Sequence, residues 1–224
     1  MKIKPPRRWN ISPKVAIKLQ EELRGQVTVA PLTMTVARVA GVDVSMKAGK
    51  ATSAVVVLRF PQLDLEEVRV DERPISFPYV PGLLSFRECP GVLGAFDKLK
   101  QSPDLVLVDG QGIAHPRRLG IAAHLGLMLD LATIGCAKSR LCGAHAEPGV
   151  KQGCRTSLVD NDEIVGAVVR TRTNVKPLYI SVGHRITLDE SVKYVLSCGG
   201  GFRLPEPTRL AHHAAARKLK TGLR

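Results

Sequence analysis

Three acids and one braced tyrosine are the residues of this chain whose types and spacing could do chemistry. Asp43 interrupts the otherwise apolar Val39-Ala40-Gly41-Val42-Asp43-Val44, and Asp109 ends Leu105-Val106-Leu107-Val108 just before Gly110-Gln111-Gly112. Ligands bind at strand C-termini in α/β sheets, so an acid there is placed for work. Locally, a solvent-facing strand acid and a turn-initiating Asp before Gly read the same way. Glu88 lies just before a helix expected from Gly91, where an acid also suits the helix dipole. As a set, acids from a first strand, a helix start and a later strand end can converge on one or two hard cations, which prefer carboxylate and water oxygens. Tyr79 is held between Pro78 and Pro81. A ring so stiffened can enter a base stack and fill the gap left by a flipped nucleotide, while bare backbone at Gly82, Gly110 and Gly112 lets a base approach main-chain groups. Arg117, Arg118 and Lys138 suit phosphates, with a solvated charged face as the alternative. The set points to metal-assisted chemistry on a nucleic acid.

Composition agrees with such a partner. Lys and Arg outnumber Asp and Glu by 33 to 20, a formal net charge of +13 that favours polyanions and predicts salt-sensitive association. The 224 residues are enough for one core without staples, and a single domain over 1–224 is the simplest reading. The chain has no apolar run of the ~18 residues a span needs and no signal-peptide segment after Met1, so a soluble, cytoplasmic protein is expected. Five cysteines without a C-x-x-C pair indicate packed, reduced thiols. With five Phe, three Tyr and one Trp, broad stacking platforms are excluded and any stacking falls to one or two chosen rings. Gly110 and Gly112 lack the third glycine and later acid of a dinucleotide fingerprint. His115 and His124 lack cysteines at zinc-ligand spacing and read as a loop contact and a helix-face residue. No Gly-x-Ser-x-Gly elbow supports acyl transfer.

The elements that must position these residues follow from periodicity and punctuation. Ser12 before Pro13 caps an opening helix whose Val15, Leu19 and Leu23 form a stripe. Val36 to Val44, Ala54 to Phe60 and Leu65 to Val70 read as a three-stranded antiparallel meander. Gly91 to Lys100 is expected as helix, Leu105 to Val108 as strand, Leu119 to Leu131 as helix and Thr133 to Ala137 as strand. Leu141 to Asp160 is expected as loop, followed by strands over Glu163 to Arg170 and Leu178 to Val182. Asp189 to Leu196 is helical, and a basic helix over Thr208 to Leu219 is capped by Thr208. Hairpins followed by β-α-β units outline an α/β, ribonuclease-H-like mixed sheet flanked by helices.

The motifs also resemble those of a known family. Ala40-Gly41-Val42-Asp43, Pro78-Tyr79-Val80-Pro81-Gly82, Phe86-Arg87-Glu88, Val108-Asp109-Gly110-Gln111-Gly112, His115-Pro116-Arg117-Arg118-Leu119-Gly120, Thr133-Ile134-Gly135-Cys136-Ala137-Lys138, Gly183-His184 and Arg203-Leu204-Pro205-Glu206-Pro207-Thr208-Arg209 occur in this order. They are similar to motifs of the endonuclease V family, nucleases that nick DNA near deaminated purines, especially deoxyinosine. The resemblance implies Asp43, Glu88 and Asp109 as ligands of Mg²⁺, with Mn²⁺ as a substitute, Lys138 near the reacting phosphate and His212 as a further active-site group. It implies Tyr79 as the wedge and Gly82, Leu84, Gly110, His115 and Ile121 as the pocket for the flipped base. It further implies hydrolysis of the second phosphodiester bond 3′ to the lesion, leaving a 3′-hydroxyl and a 5′-phosphate, by a monomer acting on DNA with deaminated bases. Two alternatives stand beside it: a ribonuclease acting on inosine in RNA, which the same site would serve, and a non-catalytic reader of modified nucleic acid whose basic surface does all the work.

Overall fold

The computed structural model describes residues 9–219. Its centre is one 8-stranded sheet in the order β3-β2-β1-β4-β5-β8-β7-β6. β1 (Arg38–Lys47), β2 (Lys50–Arg59) and β3 (Asp64–Pro74) form the expected antiparallel meander. α2 (Leu84–Phe96) then leads to β4 (Leu105–Val108), parallel to β1, and α3 (Ile121–Leu129) leads to β5 (Ala132–Ala137), parallel to β4. β6 (Arg155–Asp160), β7 (Glu163–Val169) and β8 (Leu178–His184) return antiparallel, with β8 paired to β5. α1 (Pro13–Leu23) precedes the sheet; α4 (Leu188–Ser197) and α5 (Glu206–Ala215) follow it. This is the mixed, helix-flanked architecture of the ribonuclease-H-like class.

Both faces of the central strands are covered, which is why β4 reads as an unbroken apolar run. Its Leu105 and Leu107 pack with residues of α4 and α5, whereas Val106 and Val108 pack with residues of α2 and α3. Alternation thus divides one strand between two cores. At the outer edge β3 carries Glu66, Glu67, Arg69, Asp71, Glu72 and Arg73, and this charge keeps the edge from recruiting another strand.

Several elements depart from expectation for identifiable reasons. α2 starts at Leu84, not Gly91; Pro90 and Gly91 read as a boundary but lie inside the helix, where both are buried. On α1, Ser12 does cap by accepting from Val15 N–H, yet Val15 is exposed and the buried positions are Ala16 and Gln20. β6 occupies part of the expected loop; it is an edge strand with exposed Arg155 and Ser157, so no apolar run announced it. α5 starts at Glu206, behind Pro205, and Thr208 does not cap it; the Thr208 hydroxyl instead bonds Pro205 O. All five cysteines are free thiols, and Cys89, Cys136 and Cys198 are buried. Among the described residues no helix is long and apolar enough to cross a membrane.

Candidate active site

The parallel ladder between β1 and β4 ends at the pair Val42 and Val108. Asp43 and Asp109 are the next residue on each strand, and Asp109 N–H donates to Val42 O at 3.2 Å. The two carboxylates are therefore neighbours because the strands are, with no loop search required. Glu88 comes from α2, close enough to feel the charge of both. It sits in the second turn of α2, not before a helix as its sequence suggested, so the body of a packed helix fixes it. Lys138 follows the last residue of β5 and its ammonium pairs with Asp109 Oδ2. From α5, His212 Nδ1 reaches Asp43 Oδ2 at 3.0 Å.

Burial, and then the charge of Asp109, raise the Asp43 carboxyl above its ordinary value despite His212 and Lys138 nearby. Burial first, with Asp43 and Asp109 adding, pushes Glu88 up to about 8. Acids crowded enough to resist ionising lack positive charge, and an oxygen donor set of this kind fits a hard divalent cation. Among the described residues no three His, Cys, Asp or Glu side chains close on a common point. Asp109 leans on Lys138 and Asp43 on His212 instead.

The strain of this cluster sets a pH dependence for the metal-free protein. Between pH 4.5, the ordinary Glu value, and about 8, folded Glu88 holds a proton that the unfolded chain has released. Stability is therefore present at the acid end and falls as pH rises, by up to ~1.4 kcal/mol per pH unit. Denaturant melts in EDTA across this window should show that slope, and Glu88→Gln should flatten it. A slope unchanged by Glu88→Gln would place the titrating group elsewhere.

Beside the acids lies a cavity of about 370 Å³, within the range of pockets that take a small ligand. Tyr79, Gly82, Leu84, Gly110, His115 and Ile121 line it, together with Asp109 and Lys138. Tyr79 is 72% exposed, so its ring stands free at the rim. Another part of the wall is fixed through Gly82, whose φ of +77° suits glycine. Its carbonyl accepts from Gln20 Nε2 at 3.0 Å, His115 Nε2 at 2.9 Å and Arg117 Nη2 at 3.0 Å. His115 Nδ1 accepts from Arg117 N–H, so the ring proton is on Nε2, and burial holds the imidazole down to about 4, neutral under ordinary conditions. At Gly110 a Cβ would stand 2.5 Å from Ile121 Cγ2, so glycine lets Ile121 close against the pocket floor.

Not every expected contact faces this cavity. Gly112 lies beneath it, with N–H bonded to Ser181 Oγ and a Cβ position 1.9 Å from Val182 O; its glycine serves packing. Arg117 turns inward to Gln20 Oε1 at 2.6 Å. Arg118 is tied to Asp160 at 2.7 Å and Glu163 at 2.8 Å. Neither guanidinium lines the cavity, and of the three expected phosphate cations only Lys138 does. Gln20, Gln111, Ser139 and Arg140 also line it and were not expected. The one local signal for Gln20 was an amide on the helix stripe that turned out to be buried.

A mixed sheet with acids one step beyond the paired stretch of two adjacent central strands, a lysine and a histidine on those acids, and a base-sized cavity beside them defines a nuclease of the ribonuclease-H-like class. The profile of the Endonuclease V family matches residues 21–213. An Endonuclease V from Trichormus variabilis is 50% identical over 221 residues, covering 97% of this chain and 100% of its own. The crystal structure of the Endonuclease V from Streptomyces avermitilis superposes with a TM-score of 0.89 at 39% identity, covering 97% of each chain. An Endonuclease V from Ciona intestinalis, solved with a 23mer DNA containing an inosine followed by a ribo-adenosine, gives a TM-score of 0.81 at 29% identity over 93% of this chain and 98% of its own. This chain belongs to the endonuclease V family and is a phosphodiester-cleaving endonuclease; the family is metal-dependent.

Proposed function

We propose that this endonuclease recognises deoxyinosine in DNA and hydrolyses the second phosphodiester bond on its 3′ side, with Mg²⁺, leaving a 3′-hydroxyl and a 5′-phosphate. The observation that carries this reading is the base-sized cavity opening directly onto Asp109 and Lys138. A nucleotide flipped into it brings its own downstream backbone to the acids. Inosine-containing DNA bound by the Ciona relative supports the lesion.

Asp43, Glu88 and Asp109 would hold the metal, which supplies positive charge at the reacting phosphate and acidifies water. The protein's own groups do the rest. Lys138 offers the phosphate a fixed cation and its hydrogen bonds. His212 donates from Nδ1 to Asp43, which leaves Nε2 to take a proton. Gly82, Gly110, Leu84, His115 and Ile121 enclose the base. Because His115 stays neutral, the positive charge on the cavity wall comes from Lys138 and Arg140 and not from the imidazole. Mapping the nick on end-labelled duplex DNA with one deoxyinosine, in Mg²⁺ or in EDTA, tests the whole reading; uncut DNA in Mg²⁺, or a cut at another bond, overturns it.

The ribo-adenosine in the Ciona oligonucleotide favours a second reading, cleavage of inosine-containing RNA. Matched DNA and RNA strands in the same assay decide between them.

Tyr79 is largely exposed at the rim and, among the described residues, shares no hydrogen bond with the acids or with Lys138, so it should act on selection and not on the chemical step. Tyr79→Ala is expected to reduce the preference for deoxyinosine over undamaged DNA about tenfold, a value within the range of one lost stacking contact. Competition binding with the two duplexes reads this ratio, and an unchanged ratio would make the loop merely structural.

A further inference from the structure

A second cavity, of about 340 Å³, adjoins the first. Lys138 lines both, and among the described residues no other lining residue is shared. Phe202, Arg203, Arg209 and His213 make up most of its remaining wall, and no acid lines it. Phe202 is 50% exposed, unusual for a phenylalanine in a chain with so few aromatic rings. The Arg209 guanidinium sits 4.6 Å from the Phe202 ring centroid and braces that ring while adding charge. Arg209 is itself oriented by Glu206, at 2.8 Å from Nε. Arg203 donates to Lys138 O at 2.6 Å and Pro177 O at 2.8 Å, which ties this wall to the catalytic lysine. Arg209 and His213 are one helical turn apart on α5, the helix that also presents His212 to Asp43.

Two cavities that meet at one phosphate-facing lysine divide a strand between them. With the lesion base in the first, the backbone passes Lys138 and continues in the 3′ direction. We propose that the second cavity seats the segment 3′ of the reacting phosphate, with the Phe202 ring as the surface on which one base of that segment stacks. This rests on the nuclease reading above and extends it to the leaving strand. Positive walls hold the backbone, and an exposed ring tolerates any base because every base has a π-face.

The test compares two fluorescent single strands carrying one deoxyinosine, one ending just past the scissile bond and one extending well beyond it. Binding is read by anisotropy in EDTA and at raised salt, which screens the non-specific gain of a longer polyanion. The wild-type protein should bind the longer strand about tenfold more tightly. Phe202→Ala should bind both alike, at the affinity of the short strand, and Phe202→Trp should restore the difference. The exposed ring makes loss of folding a small risk, checked by the melting temperature. If Phe202→Ala keeps the wild-type ratio, or weakens both strands equally, the assignment is overturned. A wild-type protein that nicks inosine strands in Mg²⁺ but shows no length preference overturns this inference alone. Failure to nick any inosine strand removes the functional reading and this one with it.

Discussion

Asp109→Ala is expected to lower nicking of inosine-containing DNA at least ~1,000-fold while affinity for the same DNA stays within about threefold of wild type. Asp43→Ala should behave alike. Each acid stands one step beyond the last pair of the ladder between β1 and β4 and belongs to no hydrophobic core, so its removal should leave the sheet intact. Each also contributes to the repulsion that raises Glu88, so its loss relieves crowding. Binding is expected to rest instead on the cavity, the rim tyrosine and the cationic walls, of which Asp109→Ala trims one lining residue and Asp43→Ala none. A paired gel-shift and nicking assay, with circular dichroism as a folding control, separates the two quantities. A folded Asp109→Ala protein that cuts at close to the wild-type rate would sink the mechanism.

The second large effect is structural. A Cβ at Gly41 would lie 1.9 Å from Pro207 O and 2.6 Å from Thr208 N, backbone atoms at the start of α5 with nowhere to retreat. Gly41→Ala should therefore push α5 off β1 at a cost of about 3 kcal/mol. For a chain of this size that lowers Tm by on the order of 10 °C. Activity should fall further than stability does, because α5 brings His212 to Asp43. Gly25→Ala is the control, since among the described residues nothing lies within 4 Å of its Cβ position, and should melt as wild type does. Equal Tm values for the two variants would show that α5 is free to shift.

What the sequence made legible was whatever is written locally. An acid inside a valine strand and another at the end of an apolar run marked Asp43 and Asp109 as candidates, which local alternatives matched and the family resemblance singled out, because burial and strand period act over a few residues. The meander and the two parallel crossovers followed from the same patterns. Glu88 was harder to place. Pro90 and Gly91 are helix breakers by propensity, yet both are buried inside α2, where tertiary burial outweighs a missing N–H. Gln20 was out of reach, for it bonds Leu119 O across 99 residues and no local pattern encodes that. Arg118 misled for the same reason. Its side chain is claimed by Asp160, 42 residues later, on a strand whose polar edge character hid it.

His212 lies 169 residues downstream of its partner Asp43. A ribosome delivers the chain in that order, at roughly 5–20 residues per second. The acids and the lysine therefore emerge several seconds before the helix that packs on the bare Gly41 backbone and carries the histidine, so the contact between Asp43 and His212 can close only after nearly the whole chain has been made.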